Sequence, residues 1–242
     1  MRSSLHSTLS NIFERRNTRS SRYLLLAAAL LAANTSFAPV NPAPVISGQK
    51  LEESRVVRDP AGQIIVADLS DMGLERDVLA GLRPFAEHLQ VVDLSGNEIK
   101  EVDLSPLSRA FNLYSISLEE NRLKEIDLSP LGGLPRLSLL SLGGNRLKRI
   151  DLSPLGECSR LRVLHLQGNE FEEVDLSPLA SCPELRQLWI YDNELSNLDL
   201  KTLLDSCSLS DVKAFGNELS PACVEKLTAL SNRYEGLTII LE

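Results

Sequence analysis

The chain has 242 residues, 43% of them hydrophobic and 24% charged, which is enough apolar material for a packed core in one or two domains. Its 25 lysines and arginines against 33 acids leave a formal net charge of −8, and no basic run interrupts that balance. Nucleic acid and anionic membrane surfaces are therefore poor partners.

Residues 1–38 read as a signal peptide or presequence. Arg2, Arg15, Arg16, Arg19 and Arg22, with Glu14 the one acid among them, precede the apolar run YLLLAAALLAA from Tyr23 to Ala33, and NTSFA then places Ser36 and Ala38 as in a cleavage site. That run has 11 residues, short of the roughly 20 that a membrane-crossing helix needs, so no span is expected in the mature chain. Without the leader the net charge moves from −8 to −12, because five positive charges and one negative leave. The expected destination is extracellular or extracytoplasmic, through the secretory pathway. Ser36-Phe37-Ala38-Pro39 also resembles the Phe-Ala-Pro junction of bipartite presequences for secondary plastids, which stays open as an alternative. Residues 39–50, PVNPAPVISGQK, carry three prolines and read as a linker.

From residue 51 to 242 the chain reads as one repeat domain. RVVRDPAGQIIVADLS, with a turn at Asp59-Pro60-Ala61-Gly62 between two apolar runs, predicts a hairpin cap. Six copies then follow at a 24-residue period, from Leu89, Leu113, Leu137, Leu161, Leu185 and Leu209: LQVVDLSGNEI, LYSISLEENRL, LSLLSLGGNRL, LRVLHLQGNEF, LRQLWIYDNEL and LSDVKAFGNEL. A degenerate copy at Ile64 and a partial one at Tyr234 bring the expected strands to about eight. Alternating apolar residues in each copy mark a strand with one buried face. Strands so far apart in sequence can lie side by side in parallel only if the rest of each repeat crosses the other face. The pattern resembles the leucine-rich repeat family, over about Ile64 to Leu241. The fold class this implies is α/β, a right-handed solenoid with a concave parallel sheet and a convex face of short helices or 3-10 turns.

Between strands the chain returns to Asp-Leu-Ser-Pro-Leu. Ser105, Ser129, Ser153 and Ser177 each precede proline, so serine is expected to cap a helical turn with proline at its first position. Asp103, Asp127, Asp151, Asp175 and Asp199 form a convex ladder, read as accepting hydrogen bonds from the amides of their own turns rather than holding a cation row. Asn97, Asn121, Asn145, Asn169, Asn193 and Asn217 form a second ladder, which the family resemblance assigns to bonding the backbone of neighbouring coils. Ser220-Pro221 opens a longer helix with Val224, Leu227 and Leu230 on one face, a C-terminal cap completed by the last strand. Cys158 and Cys182 occupy one repeat position and read as small buried hydrophobes, while Cys207 and Cys223 are the better candidates for a disulfide. No cysteine has the spacing of a zinc site.

For function, the chain offers no phosphate loop and no nucleophile with a base and an orienting acid, so no enzyme, cofactor or metal is expected. The outward strand positions run Asp68, Asp93, Ser117, Ser141, His165, Trp189, Lys213 and, two residues on, Ser70, Ser95, Glu119, Gly143, Gln167, Tyr191, Phe215. Small and acidic residues fill the first half, and aromatics arrive together in the last repeats. His165, Trp189, Tyr191 and Phe215, joined by Arg162, Arg186, Gln187 and Lys213, are the expected partner-binding patch, with Trp189 facing solvent. The expectation is a monomeric module that binds a protein or peptide. A structural, envelope-associated spacer and a carbohydrate-binding module remain as alternatives.

Overall fold

The computed structural model describes residues 45–46, 49–50, 55–75 and 79–242. The leader at 1–38 lies outside them, as does most of the linker. The linker's end is structured: β1 (Val45–Ile46) pairs antiparallel with β2 (Gln49–Lys50).

A nine-stranded sheet carries the rest of the fold, its strands stacked in chain order. β3 (Val56–Arg58) pairs antiparallel with β4 (Ile64–Asp68) as the expected hairpin. Its turn is held by Asp59, whose Oδ1 accepts from the amides of Ala61 and Gln63, both at 2.9 Å. From β4 onward all pairings are parallel: β5 (Val91–Asp93), β6 (Ser115–Ser117), β7 (Leu139–Ser141), β8 (Val163–His165), β9 (Gln187–Trp189), β10 (Asp211–Lys213) and β11 (Thr238–Ile240). The eight parallel strands are those of the repeat pattern, and β3 is the ninth.

Each middle strand keeps three residues, and its central side chain points inward. Val92, Ile116, Leu140, Leu164, Leu188 and Val212 are all fully buried. In the coil that starts at Leu137, that residue joins Leu140, Leu142, Leu147, Leu152, Leu155 and Cys158 in one core slice. A leucine fully removed from water is worth about 1.5–3 kcal/mol, but a single coil has no second layer to remove it against, so the stacking supplies the fold's stability.

The Asp-Leu-Ser-Pro-Leu segments form 3-10 helices at Ser105–Leu107, Ser129–Leu131, Ser153–Glu157 and Ser177–Ser181. The serine does not cap them. The turn begins at the serine, leucine holds the cap position, and the aspartate one residue earlier supplies the side-chain bond. Asp103, Asp127, Asp151 and Asp175 accept from the amides of Ser105, Ser129, Ser153 and Ser177 at 2.8–2.9 Å, and Asp199 accepts from Lys201 at 3.0 Å. Hydrogen bonds from the serine side chain and amide hold the first four carboxyls below the usual aspartate value. After Asp199 the proline is missing, so amides reach four residues back, as Leu204 does to Leu200, and the turn lengthens into helix α1 (Lys201–Ser206).

The asparagines tie coil to coil. Asn145 Oδ1 accepts from the Leu123 amide at 3.1 Å, while Nδ2 donates to the carbonyls of Leu118 and Leu142, both at 2.9 Å. Asn97, Asn121, Asn169, Asn193 and Asn217 repeat the arrangement. Helix α2 (Pro221–Arg233) closes the solenoid, with Ser220 accepting from the Cys223 amide at its start. Its buried face runs through Cys223 and Leu227, with Val224 and Leu230 half-buried beside them.

Cys207 and Cys223 are not bonded to each other; all four cysteines are free thiols. Each sulfur instead lies against a carbonyl of the coil before it: Cys158 on Leu131, Cys182 on Leu155, Cys207 on Leu179 and Cys223 on Leu198. Successive coils aim these side chains the same way, which prevents the facing geometry a disulfide requires.

Candidate functional site

On the sheet face opposite the core, in-register pairing sets His165 beside Trp189 and Trp189 beside Lys213. The His165 and Trp189 rings stack with centroids 4.0 Å apart and planes 5° from parallel. Lys213 Nζ lies 3.9 Å from the Trp189 ring centroid on the neighbouring strand's side, a cation–π contact. One row on, Tyr191 and Phe215 stack at 4.5 Å and 12°. Trp189 and Tyr191 join the two rows at 6.3 Å.

The single tryptophan does not face solvent as expected. It keeps 8% of its surface exposed, because His165 and Lys213 cover its flanks and its Nε1 donates to Asp211 Oδ2 at 3.1 Å. Gln187 Nε2 donates to the same Asp211 oxygen at 2.6 Å. Asp211 is thus the anchor that orients this patch. Tyr191, Lys213 and Phe215 are half-buried, and these three form its open part.

Six of the eight expected partner-binding residues come together here: His165, Gln187, Trp189, Tyr191, Lys213 and Phe215. Arg162 is drawn away to Glu184, with Nε 2.7 Å and Nη2 2.5 Å from Oε2. Arg186 is exposed and makes no ion pair among the described residues.

Beside the aromatic rows, on the same sheet face, sits a buried polar cluster that the periodicity did not single out. Glu119, Ser141 and His165 are each less than 5% exposed. The Ser141 hydroxyl donates to Glu119 Oε1 and lies 3.3 Å from His165 Nδ1, itself 3.5 Å from Glu119 Oε1. Gln167 Nε2 donates to the same carboxylate oxygen at 3.3 Å. The residue types are those of a hydrolytic triad, but the wiring is not. A triad places the nucleophile on one imidazole nitrogen and the acid on the other. Here both compete for Nδ1, while Nε2 is buried without a hydrogen-bond partner. The cluster holds the His165 ring flat against Trp189 and does not prepare Ser141 for attack. The sequence signal for it was Glu119 and His165 on adjacent outward rows two repeats apart.

Among the described residues no group of three or more histidines, cysteines or acids is placed to hold a metal ion. No helix there is long and apolar enough to cross a membrane.

A family model described as leucine rich repeat matches residues 87–147 and 111–171. Among solved structures, the chain is similar to an internalin (inlF) from Listeria monocytogenes str. 4b F2365, at 26% identity and a TM-score of 0.53, over 75% of this chain and 46% of that one. It is also similar to an internalin C2 (inlC2) from the same strain, at 26% identity and a TM-score of 0.43, over 60% of this chain and 78% of that one. The chain thus spans less than half the length of the first of these. Comparison with curated proteins gives no match.

Proposed function

Because the chain is a leucine-rich repeat protein, we propose that it is a non-enzymatic module that binds a protein or peptide through the C-terminal half of its concave face. The observation that supports this is the paired stack of His165, Trp189 and Lys213 beside Tyr191 and Phe215. Rings held in fixed orientations lose little entropy when a partner docks, and aromatic anchors concentrate binding energy. Asp211 and the buried Glu119 cluster supply the preorganisation.

Trp189→Ala is a poor test, since it removes packing as well as contact. Tyr191→Ala combined with Phe215→Ala removes half-buried rings that are not part of the core. Affinity capture with the 242-residue chain and this double variant, both checked by circular dichroism, should recover a protein that the variant loses. Recovery of the same proteins by both would return the chain to a spacer role. A carbohydrate platform is less favoured, since His165 and Lys213 occupy the tryptophan's flanks. Export through the leader at 1–38 belongs to the same proposal, and N-terminal sequencing of protein from its native cell tests it.

A further inference from the structure

A second feature lies at the edge where the strands begin, away from the aromatic rows. The residues flanking each strand-starting leucine form two columns. One carries Asn112, Arg136 and Arg160 and the other Gln90, Tyr114, Ser138 and Arg162, with successive coils joined by bonds such as Ser138 N to Tyr114 O and Arg162 N to Ser138 O. Between the columns is a cavity of about 230 Å³, roughly eight times a water molecule's share of the liquid.

Its electrostatics oppose those of the protein around it. Arg136, Arg160 and Arg162 line it, and among the described residues the one carboxylate bound to any of them is Glu184, on Arg162. The local balance is two positive charges in a chain whose net charge is −8. Arg136 and Arg160 hold equivalent positions one repeat apart and make no ion pair among the described residues. Both are exposed, so water screens their mutual repulsion in part, and an anion between them would relieve what remains. Two further groups lack partners. Ser138, 4% exposed, lines the cavity and its hydroxyl makes no hydrogen bond among the described residues. Gln90 Oε1 is buried and unbonded, and turning that amide over would present N–H donors.

We propose that this cavity is a binding site for a dianionic phosphoryl group, gripped by the guanidinium forks of Arg136 and Arg160 with the Ser138 hydroxyl donating a third contact. Two free positive charges match a dianion better than a carboxylate, and the planar forks suit the tetrahedral oxygens. Arg162, fixed by Glu184, sets one wall and lends its field. The assignment is independent of the aromatic face, which lies on the strands themselves.

The test is isothermal titration calorimetry of the 242-residue chain, in low-chloride buffer, with inorganic phosphate, phenyl phosphate and acetate. Saturable binding of phosphate, with acetate at least about tenfold weaker, is expected. Phenyl phosphate binding as tightly as phosphate makes a phosphate ester the ligand, and binding of phosphate alone makes it the free ion; both uphold the site. Arg136→Gln with Arg160→Gln should weaken phosphate at least about tenfold, and Ser138→Ala by about tenfold. Arg136→Lys with Arg160→Lys keeps the charge, loses the forks, and should also weaken it. The control, Arg146→Gln with Arg149→Gln, removes the same charge elsewhere and should leave affinity within about twofold. Absence of saturation, equal binding of acetate, or equal loss in the control would overturn the proposal. Melting curves on every variant separate loss of binding from loss of fold.

Discussion

The asparagine ladder makes a quantitative prediction, because its carbonyls are shared. Leu118 O accepts from Asn145 Nδ2 at 2.9 Å and from Asn121 Nδ2 at 3.1 Å, and both bonds are buried. Asn145→Ala therefore leaves Leu118 O still bonded and strands one group outright, the Leu123 amide. Asn121→Ala strands the Ile99 amide in the same way. A buried donor without a partner costs about 1–3 kcal/mol, so with the shared bonds also lost each single variant should be destabilised by about 2–3 kcal/mol. The double variant strands both amides and, in addition, Leu118 O. It should exceed the sum of the singles by about 1–2 kcal/mol. Asn97 and Asn145 share no carbonyl, since Asn97 donates to Leu69, Leu94 and Ser95. That pair should add within about 0.5 kcal/mol. Equilibrium urea unfolding of the five variants and the parent, with slopes compared to establish that one transition is being measured, reads both numbers. Equal coupling in the two pairs would refute the shared-carbonyl account.

Three further outcomes follow from other parts of the molecule. Asp103, Asp127, Asp151 and Asp175 have carboxyls lowered by their serine bonds, so their contribution is present above the ordinary value of 3.8 and is lost as pH falls through the lowered folded values. The melting temperature should drop across that acidic window, and less steeply when all four are changed to asparagine; parallel profiles would remove the ladder from acid unfolding. Burial pushes the Cys182 thiol up to about 12 and raises Cys158 and Cys207 as well. A disulfide-exchange reagent at mildly alkaline pH should thus label the native chain far more slowly than the unfolded one, with half-buried Cys207 reacting first. Rapid labelling of all four would contradict their placement. Trp189, the one tryptophan, should resist acrylamide quenching several-fold better in the native than in the unfolded chain, and equal quenching would mean the His165 stack does not form.

The period itself made most of the architecture readable. Residues 24 positions apart meet the same surroundings, so the leucines of the core, the asparagines of the bend and the strand order could be taken from the alignment, as could the Asp59-Pro60-Ala61-Gly62 hairpin. The serine cap missed by one position, because a 3-10 turn starts tighter and earlier than an α-helix and puts the aspartate carboxylate within reach of the serine amide. The proposed Cys207 and Cys223 pair depended on how the last helix docks, and Cys223 packs its sulfur onto Leu198 instead.

Trp189 shows where such reading stops. Alternation along a strand decides which face a side chain takes, and it placed this ring on the sheet's open face correctly. Exposure is decided by the neighbours across the rungs, about 4.8 Å to either side, which here are His165 and Lys213. A histidine on one side and a lysine on the other are both long enough to lie along an indole. The arginine cavity has the same origin: Arg136, Arg160 and Arg162 fall at variable positions around a leucine, and their convergence exists only once two coils are stacked. In a solenoid, direction is encoded within each repeat and occupancy between repeats. The places where function can reside are those where neighbouring columns change character, as they do from Ser141 to His165 to Trp189.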